Sequence, residues 1–481
     1  MIHATPLSLL IIALCTLGVP LLGYWAGRRA DAAQFLTMGR GLTLPAFVAT
    51  LVCTWYGGIL AVGEYTWQWG LVNWLALGVF YYVFAGVYAL FLSDRLRRSH
   101  ALSIPEEIAR AHGPAAGRLA ALYTLLMVSP APHILMTALL LGGLAGLPLA
   151  WSLPLTVALT VGYVWKGGLR SVVVTDQLQF LLMFAGFGLA LGWLMLDRGG
   201  LGWLAAQLPA GHLQIPGGLS WSTVVLWGFV ALWTLVDPGF HQRVAVARDA
   251  RTARRGIWLS IGCWFVFDAL TTACGLYARA LLPDLEQPLL AFPELSNLLP
   301  PVVQGLFVGG MLATVLSTLD SLCFLSGTTF SRDLLGRREE QGLQARVRWG
   351  VLLTSTAGAL LAWKMKSVVQ MWIVFASLGV PVLLPVLLDA LWRPAAPRPQ
   401  RGLTPGLASM GAAALVSGGW MLAGLLHRQD GWPVYPLGLE PLYPGLLAGL
   451  LALAGGRGLS RGAAAAAGHT PISCSGGRAA P

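Results

Sequence analysis

Gly309–Asp333 reads GGMLATVLSTLDSLCFLSGTTFSRD, and the fold turns on how this stretch is understood. The run is apolar enough to cross a bilayer, yet Thr314, Ser317, Thr318, Asp320 and Ser321 lie in its middle. On an α-helix, positions 314, 317, 318 and 321 share one face, with 320 beside them. That face offers hydroxyl oxygens and one carboxyl within hydrocarbon, where an ionisable group is costly and marks ion or substrate pathways. Any single Ser or Thr can be satisfied by a carbonyl one turn back in its own helix. Five oxygen-bearing side chains in the short run from Thr314 to Ser321, one of them an acid, point instead to an ion or substrate role for the cluster.

Composition sets the class. Of 481 residues, 56% are hydrophobic and 11% charged, against about 25% charged in a soluble domain, and the mean hydropathy is +0.69. Apolar segments able to span about 30 Å of hydrocarbon lie at 5–25, 42–66, 70–93, 117–145, 150–165, 172–196, 220–238, 256–281, 301–330, 348–369, 371–391, 404–426 and 438–455. They predict an all-α polytopic membrane protein of about 13 transmembrane helices, the run at 150–165 being the shortest. The formal charge of +11 would suit nucleic acid only as a basic stripe on a soluble face. Here the Arg residues sit in short loops between apolar runs, so the expected partner is the lipid bilayer and not nucleic acid.

The basic residues also orient the chain. With the N-terminus outside, all but Arg198, Arg279, Lys364, Lys366 and Arg428 of the 31 Lys and Arg fall in inner segments. That asymmetry predicts an N-terminus outside and a C-terminus inside, in a multi-pass protein of the cell's inner (plasma) membrane. The six Cys show neither a disulfide framework nor metal spacing. The first apolar run lacks a basic leader and reads as a retained span. In the loop 94–116, Ser103 is placed to cap a helix opening at Pro105. The segment 282–300 suits a short interfacial helix, the Arg-rich loop 237–256 suits anionic headgroups, and the tail 456–481 has the composition of a disordered cytoplasmic segment.

A second stretch, LTLPAFVATLVCTWYGGILAVGEYTWQWG at 42–70, carries Gly57 and Gly58 at mid-membrane. Paired glycines either break the helix and free carbonyls for a ligand, or allow close helix packing. Glu64 is either an interfacial acid or a pathway group. The seventh apolar run has Gly228 midway and Asp237 at its inner end, where an acid can pair with a loop Arg; His241 reads as a loop residue. Asp176 enters near the inner boundary of its span, at a depth that antiparallel packing would share with Asp320. In 371–391, Pro381 and Pro385 predict a kink.

Three motifs carry a resemblance. GGLRSVVVTDQLQ at 167–179, DPGFHQRVAVARDARTARRG at 237–256 and LSTLDSLCFLSGTTFSRDLL at 316–335 together resemble the sodium:solute symporter family. The TWYGG run at 54–58 is similar to that of its choline-transporter-like members. The resemblance implies a LeuT-like fold of two inverted five-helix repeats with broken core helices and the binding site near the breaks. Carried onto this chain, the repeats are 42–196 and 220–391, with an extra helix in 1–30 and two C-terminal helices in 404–455. The resemblance further implies a sodium site from the carbonyls of Cys53, Tyr56 and Thr314 with the hydroxyls of Ser317 and Thr318, an oxygen set suited to a hard cation. It implies a second ion or proton site at Asp176, Asp320 and Ser321, Asp320 standing where the sugar-acid members have a hydroxyl. An aromatic wall of Trp55, Tyr56, Trp227 and Trp233, with Glu64, is a candidate substrate pathway.

The expected function is sodium-coupled import of a small organic solute by alternating access, with sodium as coupling ion, the only metal and no cofactor. The alternatives are a proton-coupled symporter, an uncoupled facilitator, or a membrane sensor of the same fold. Nothing in the sequence forms a nucleophile–base set, so an enzyme is not expected. The solute, the ion stoichiometry and the oligomeric state are left open by the sequence.

Overall fold

Long apolar runs become helices here because a backbone in hydrocarbon must satisfy its own hydrogen bonds. The structure, a computed structural model, describes residues 2–27, 32–336, 342–392, 404–429 and 432–466. Its principal helices are α1 (Pro6–Gly27), α2 (Leu44–Trp55), α3 (Ile59–Trp69), α4 (Val72–Ser99), α5 (Ile104–Met127), α6 (Ala131–Ala145), α7 (Leu149–Gly162) and α8 (Gly168–Asp197). They continue as α9 (Trp221–Val230), α10 (Pro238–Val246), α11 (Ala250–Leu281), α12 (Pro301–Thr328), α13 (Leu343–Met365), α14 (Val368–Trp392), α15 (Pro405–Leu426) and α16 (Leu442–Ala466). A two-stranded pairing of Arg428–Gln429 with Trp432–Pro433 is the one sheet among the described residues.

The count of thirteen spans, and the outside-to-inside course drawn from it, does not hold. Among the described residues nine helices are long and apolar enough to cross a membrane, or ten if the bent pair α2–α3 is one span. Three expected spans fall out. The run at 150–165 lies in the first limb of a helix that continues to Asp197 and is interrupted at Gly168, with a left-handed φ of 58°; its apolar part, α7, is shorter than a span. In α13, Arg346, Arg348, Thr354, Ser355, Thr356 and Lys364 dilute the apolar run. The third is α16, which is not among the nine.

Other local readings fare variously. Ser103 caps α5, its Oγ accepting from Glu106 N at 3.2 Å. The segment 282–300 holds the short helix Ala291–Ser296. Helix α14 runs through Pro381 and Pro385 without interruption. Helix α16 extends regular structure through Ala466, into the segment read as disordered; positions 467–481 lie outside the described residues.

The molecule is built around α12, nearly all of whose residues from Gly305 to Gly327 are buried. It packs along α8 and α1, with α2 and α6 also against it. A helix apolar all round belongs at the centre of a bundle, and polar atoms on it must find partners there. That requirement creates the site.

Candidate functional site

Helix α2 ends where Gly57 and Gly58 follow Tyr56, and α3 leaves at 57° to it. No larger residue fits the break. A methyl at Gly57 would overlap Thr318 and lie 2.8 Å from His133 Cδ2, and one at Gly58 would overlap the Trp372 ring. The interrupted helix leaves carbonyls without their in-helix donors. Thr318 of α12 answers them: its Oγ1 donates to the carbonyls of Cys53 at 3.1 Å and Thr54 at 2.9 Å. The glycine pair therefore breaks the helix and also admits a second helix at the break.

One turn away lies a buried polar cluster. The Asp176 carboxylate of α8, 0% exposed, accepts from the Thr50 hydroxyl and from Ser317 Oγ at 2.7 Å. Its backbone carbonyl receives the Cys53 thiol at 3.3 Å. Arg243 of α10, 1% exposed, donates through Nη2 to Ser321 Oγ at 2.7 Å, Thr54 Oγ1 at 2.8 Å and Thr50 Oγ1 at 3.3 Å. Its Nη1 reaches Gln242 Oε1 at 3.1 Å. Thr50 thus joins the two charges, accepting from one and donating to the other. A buried charge left unpaired costs several kcal/mol, on the order of 3–5 when one partner is removed, so this relay is what lets both stay inside.

Beyond the break opens a cavity of about 150 Å³. Trp55, Tyr56, Tyr81, Tyr82, Trp233, Phe240, Trp264, Trp372 and Phe375 line it, with Thr54, Gly58, His133, Asp237, Asp268 and Thr318 among the rest. Asp268 of α11 accepts from the Tyr56 and Tyr82 hydroxyls, and Tyr56 also meets Thr271 Oγ1 at 2.8 Å. Two π-helical turns, Leu75–Val79 and Tyr88–Leu92, flank the stretch of α4 that presents Tyr81 and Tyr82. Such turns shift side-chain register and recur at functional sites. Asp237 sits at a second helix interruption, after the 3-10 turns Ala231–Val236, and caps α10. It accepts from Phe240 N at 2.7 Å and Trp233 Nε1 at 3.1 Å.

The residues singled out in the sequence separate into groups. Cys53, Ser317 and Thr318 meet at the break or at Asp176, as the hydrogen bonds above show. Tyr56 lies at the break as the C-cap of α2, while its ring belongs to the cavity. The Thr314 hydroxyl bonds Gly310 O in its own helix at 2.7 Å. Ser321 joins Arg243 and, at 3.0 Å, Thr54. Asp320 is fully buried, but the hydrogen bonds of Asp176 run to Thr50 and Ser317. Trp55 and Trp233 line the cavity; Glu64 and Trp227 do not, Trp227 being buried with Nε1 on Tyr65 Oη at 2.8 Å.

Three side chains read differently in the fold. Arg243, counted with the headgroup-facing loop, is in the core; Asp237, expected to pair with a loop Arg, is a helix cap on the cavity wall; and His241, expected in a loop, is 1% exposed. Asp268 went unnoticed in the sequence. The signal was present, a lone acid in the apolar run of α11, which by the rule applied to Asp320 marks a pathway.

Comparison with known proteins identifies the scaffold. The chain is 26% identical over 340 residues to the sodium/pantothenate symporter of Escherichia coli (strain K12), covering 66% of this chain and 67% of that one. To high-affinity choline transporter 1 of Drosophila melanogaster it is 24% identical over 419 residues, 78% of this chain and 65% of that one. The solved structure of a sodium-coupled sialic acid symporter, substrate-bound and outward-open, superimposes with a TM-score of 0.74 at 15% identity, over 93% of this chain and 96% of that one. That likeness establishes the shared all-α, LeuT-like fold. The profile of the sodium:solute symporter family matches residues 35–397, three quarters of the sequence, and the chain belongs to that family.

Proposed function

We propose that this sodium-coupled symporter binds its ion at the α2 break and its small organic solute in the aromatic cavity beside it. The observation that carries the reading is Thr318, whose hydroxyl lies on the Cys53 and Thr54 carbonyls while the residue also lines the cavity. Carbonyls of Cys53, Tyr56 and Thr314 with the hydroxyls of Ser317 and Thr318 are the proposed ligands, an all-oxygen set of the kind a hard cation takes. A second ion or proton at Asp176, Asp320 and Ser321 would share oxygens with the Arg243 guanidinium, which makes Arg243 part of that proposed site. The two interruptions, at Gly57–Gly58 and at Asp237, support a division into repeats at 42–196 and 220–391, with α1 before and α15 and α16 after. The proposed location is the cell's inner membrane.

Alternating access then follows from the arrangement. Sodium at the break steadies the end of α2 and the facing turn of α12, and so favours the state in which the cavity is formed. Solute and ion together allow closure, each raising the affinity for the other by the same factor at equilibrium. The test is uptake into proteoliposomes of the purified chain across a solute panel, with an inward sodium gradient, a proton gradient or neither. Accumulation should require sodium. Uptake that follows the proton gradient and ignores sodium would refute the ion assignment.

A further inference from the structure

The symport reading leaves the solute open. We infer that the cavity takes a small organic monocation, held by aromatic ring faces and by the Asp268 carboxylate; this rests on the assignment of the cavity as the solute site. Trp55, Tyr81, Trp233, Trp264 and Trp372 contribute to its wall. Ring faces carry negative charge density and attract a cation placed within ~6 Å of the centroid. The charged groups on the wall have one sign, Asp237 and Asp268, and among the described lining residues there is neither Lys nor Arg. Arg243 is not on the wall, its Nη2 being directed to Thr50, Thr54 and Ser321. Its charge interacts with Asp176 and Asp237, which leaves Asp268 as the uncompensated carboxylate of the cavity.

The two carboxylates differ in what they can offer. Asp237 is committed to the cap of α10 and to Trp233. Asp268, 4% exposed, takes one tyrosine hydroxyl on each oxygen and keeps a lone pair on each, since a carboxylate has about four acceptor sites. Those remaining sites suit an ammonium N–H or the polarised methyl shell of a quaternary nitrogen. An anionic solute would meet the Asp268 carboxylate with no Lys or Arg among the described lining residues, where repulsion is less screened than in water. A sugar would need a partner for each hydroxyl, and most of this wall is aromatic or aliphatic.

The full-length protein, purified in detergent, is titrated with choline, ethanolamine, the uncharged choline isostere 3,3-dimethylbutan-1-ol, glucose and pantothenate, with tryptophan fluorescence as readout. Choline and ethanolamine separate a quaternary from an N–H-bearing cation. In sodium, one or both should bind at least ~10-fold more tightly than the isostere, as a cation–π site with a carboxylate requires. Asp268→Asn should remove most of that preference. Should Asp268→Asn fail to accumulate, Trp55→Leu leaves the carboxylate and its tyrosines in place and should weaken cation binding alone. No saturable cation binding, or equal binding of isostere, glucose or pantothenate, overturns the inference. A cation preference that persists unchanged when potassium replaces sodium supports the solute class while refuting the sodium coupling.

Discussion

Thr318→Val exchanges a hydroxyl for a methyl of nearly the same shape, so its effect on sodium can be worked out. In the structure, one hydroxyl proton is shared between the Cys53 and Thr54 carbonyls at 3.1 and 2.9 Å. Ion binding replaces that hydrogen bond, worth ~1 kcal/mol net, by an oxygen–cation contact, set equal to a hydrogen bond to a charged group at about 1.5–3 kcal/mol. The difference of roughly 0.5–2 kcal/mol corresponds to sodium binding about two- to thirtyfold weaker in the variant. Thr314→Val is the internal control, because its hydroxyl serves Gly310 O in its own helix at 2.7 Å and only its carbonyl is assigned to the ion. Radioactive sodium binding to the purified proteins measures both, with thermal unfolding recorded alongside. Wild-type sodium affinity in a stable Thr318→Val protein, or a larger loss in Thr314→Val, would refute the assignment.

Arg243→Gln leaves Asp176 buried without its countercharge and should lower stability by about 3–5 kcal/mol, read as a fall in unfolding temperature. Adding Asp176→Asn should restore part of the loss, and a purely additive double variant would sink the proposed coupling through Thr50. Gly58→Ala places a methyl into the Trp372 ring, and an overpacked core costs ~1–3 kcal/mol. Its solute affinity should drop through displacement of Trp372, with Trp372→Ala in the same background relieving the stability loss; failure of that relief counts against the close approach. Burial pushes the Glu440 carboxyl, in the loop before α16, up to about 7. A raised carboxyl favours the folded state below its unfolded value near 4.5, and that contribution is lost as pH rises through about 7. Unfolding temperature should therefore fall from pH 5 to pH 8 by more in the wild type than in Glu440→Gln, and identical profiles would contradict the burial effect.

How much of this could be read from the chain depends on the kind of evidence. Helices were visible as apolar runs long enough to fill the hydrocarbon, and the first break as the Gly57–Gly58 pair, which can release a backbone there; the interruption at Asp237 carries no such pair. The Thr314–Ser321 face was visible as polar atoms placed where they are costly. The span count was not, because α7 and α13 are apolar enough to suggest spans, yet the first is short and the second is diluted by charged and hydroxyl residues. Arg243 was hidden by its neighbours. A basic residue in DPGFHQRVAVARDARTARR reads as solvated until packing shows it among Thr50, Thr54 and Ser321. Asp268 was missed for the opposite reason: it stands alone, and its partners Tyr56 and Tyr82 come from helices far away in sequence.

The arrangement of these groups also says how ion and solute could sense each other. The cluster of Asp176, Thr50, Arg243, Ser321 and Ser317 ties α2, α8, α10 and α12 together on one side of the break. Helix α3 hangs from the other side of Gly57–Gly58, packed mainly against α11. A hinge at the break can therefore move α3 against a fixed α2, because the hydrogen bonds that would resist it are absent at a helix interruption. Thr318 and Tyr56 lie across that hinge. Thr318 touches the α2 carbonyls and the cavity, and Tyr56 caps α2 while its hydroxyl reaches Asp268 on α11. An ion that draws in Thr318 and the Tyr56 carbonyl would thereby also set the ring on the cavity wall, and a solute on Asp268 would set the carbonyl. Reciprocity makes these one coupling free energy. Tyr56→Phe should therefore reduce the sodium effect on solute affinity while leaving sodium binding without solute near the wild-type value, since it keeps the ring and the carbonyl and removes only the hydroxyl's links to Asp268 and Thr271 on α11. Equal sodium-induced gains in solute affinity for wild type and Tyr56→Phe would show that the coupling runs elsewhere.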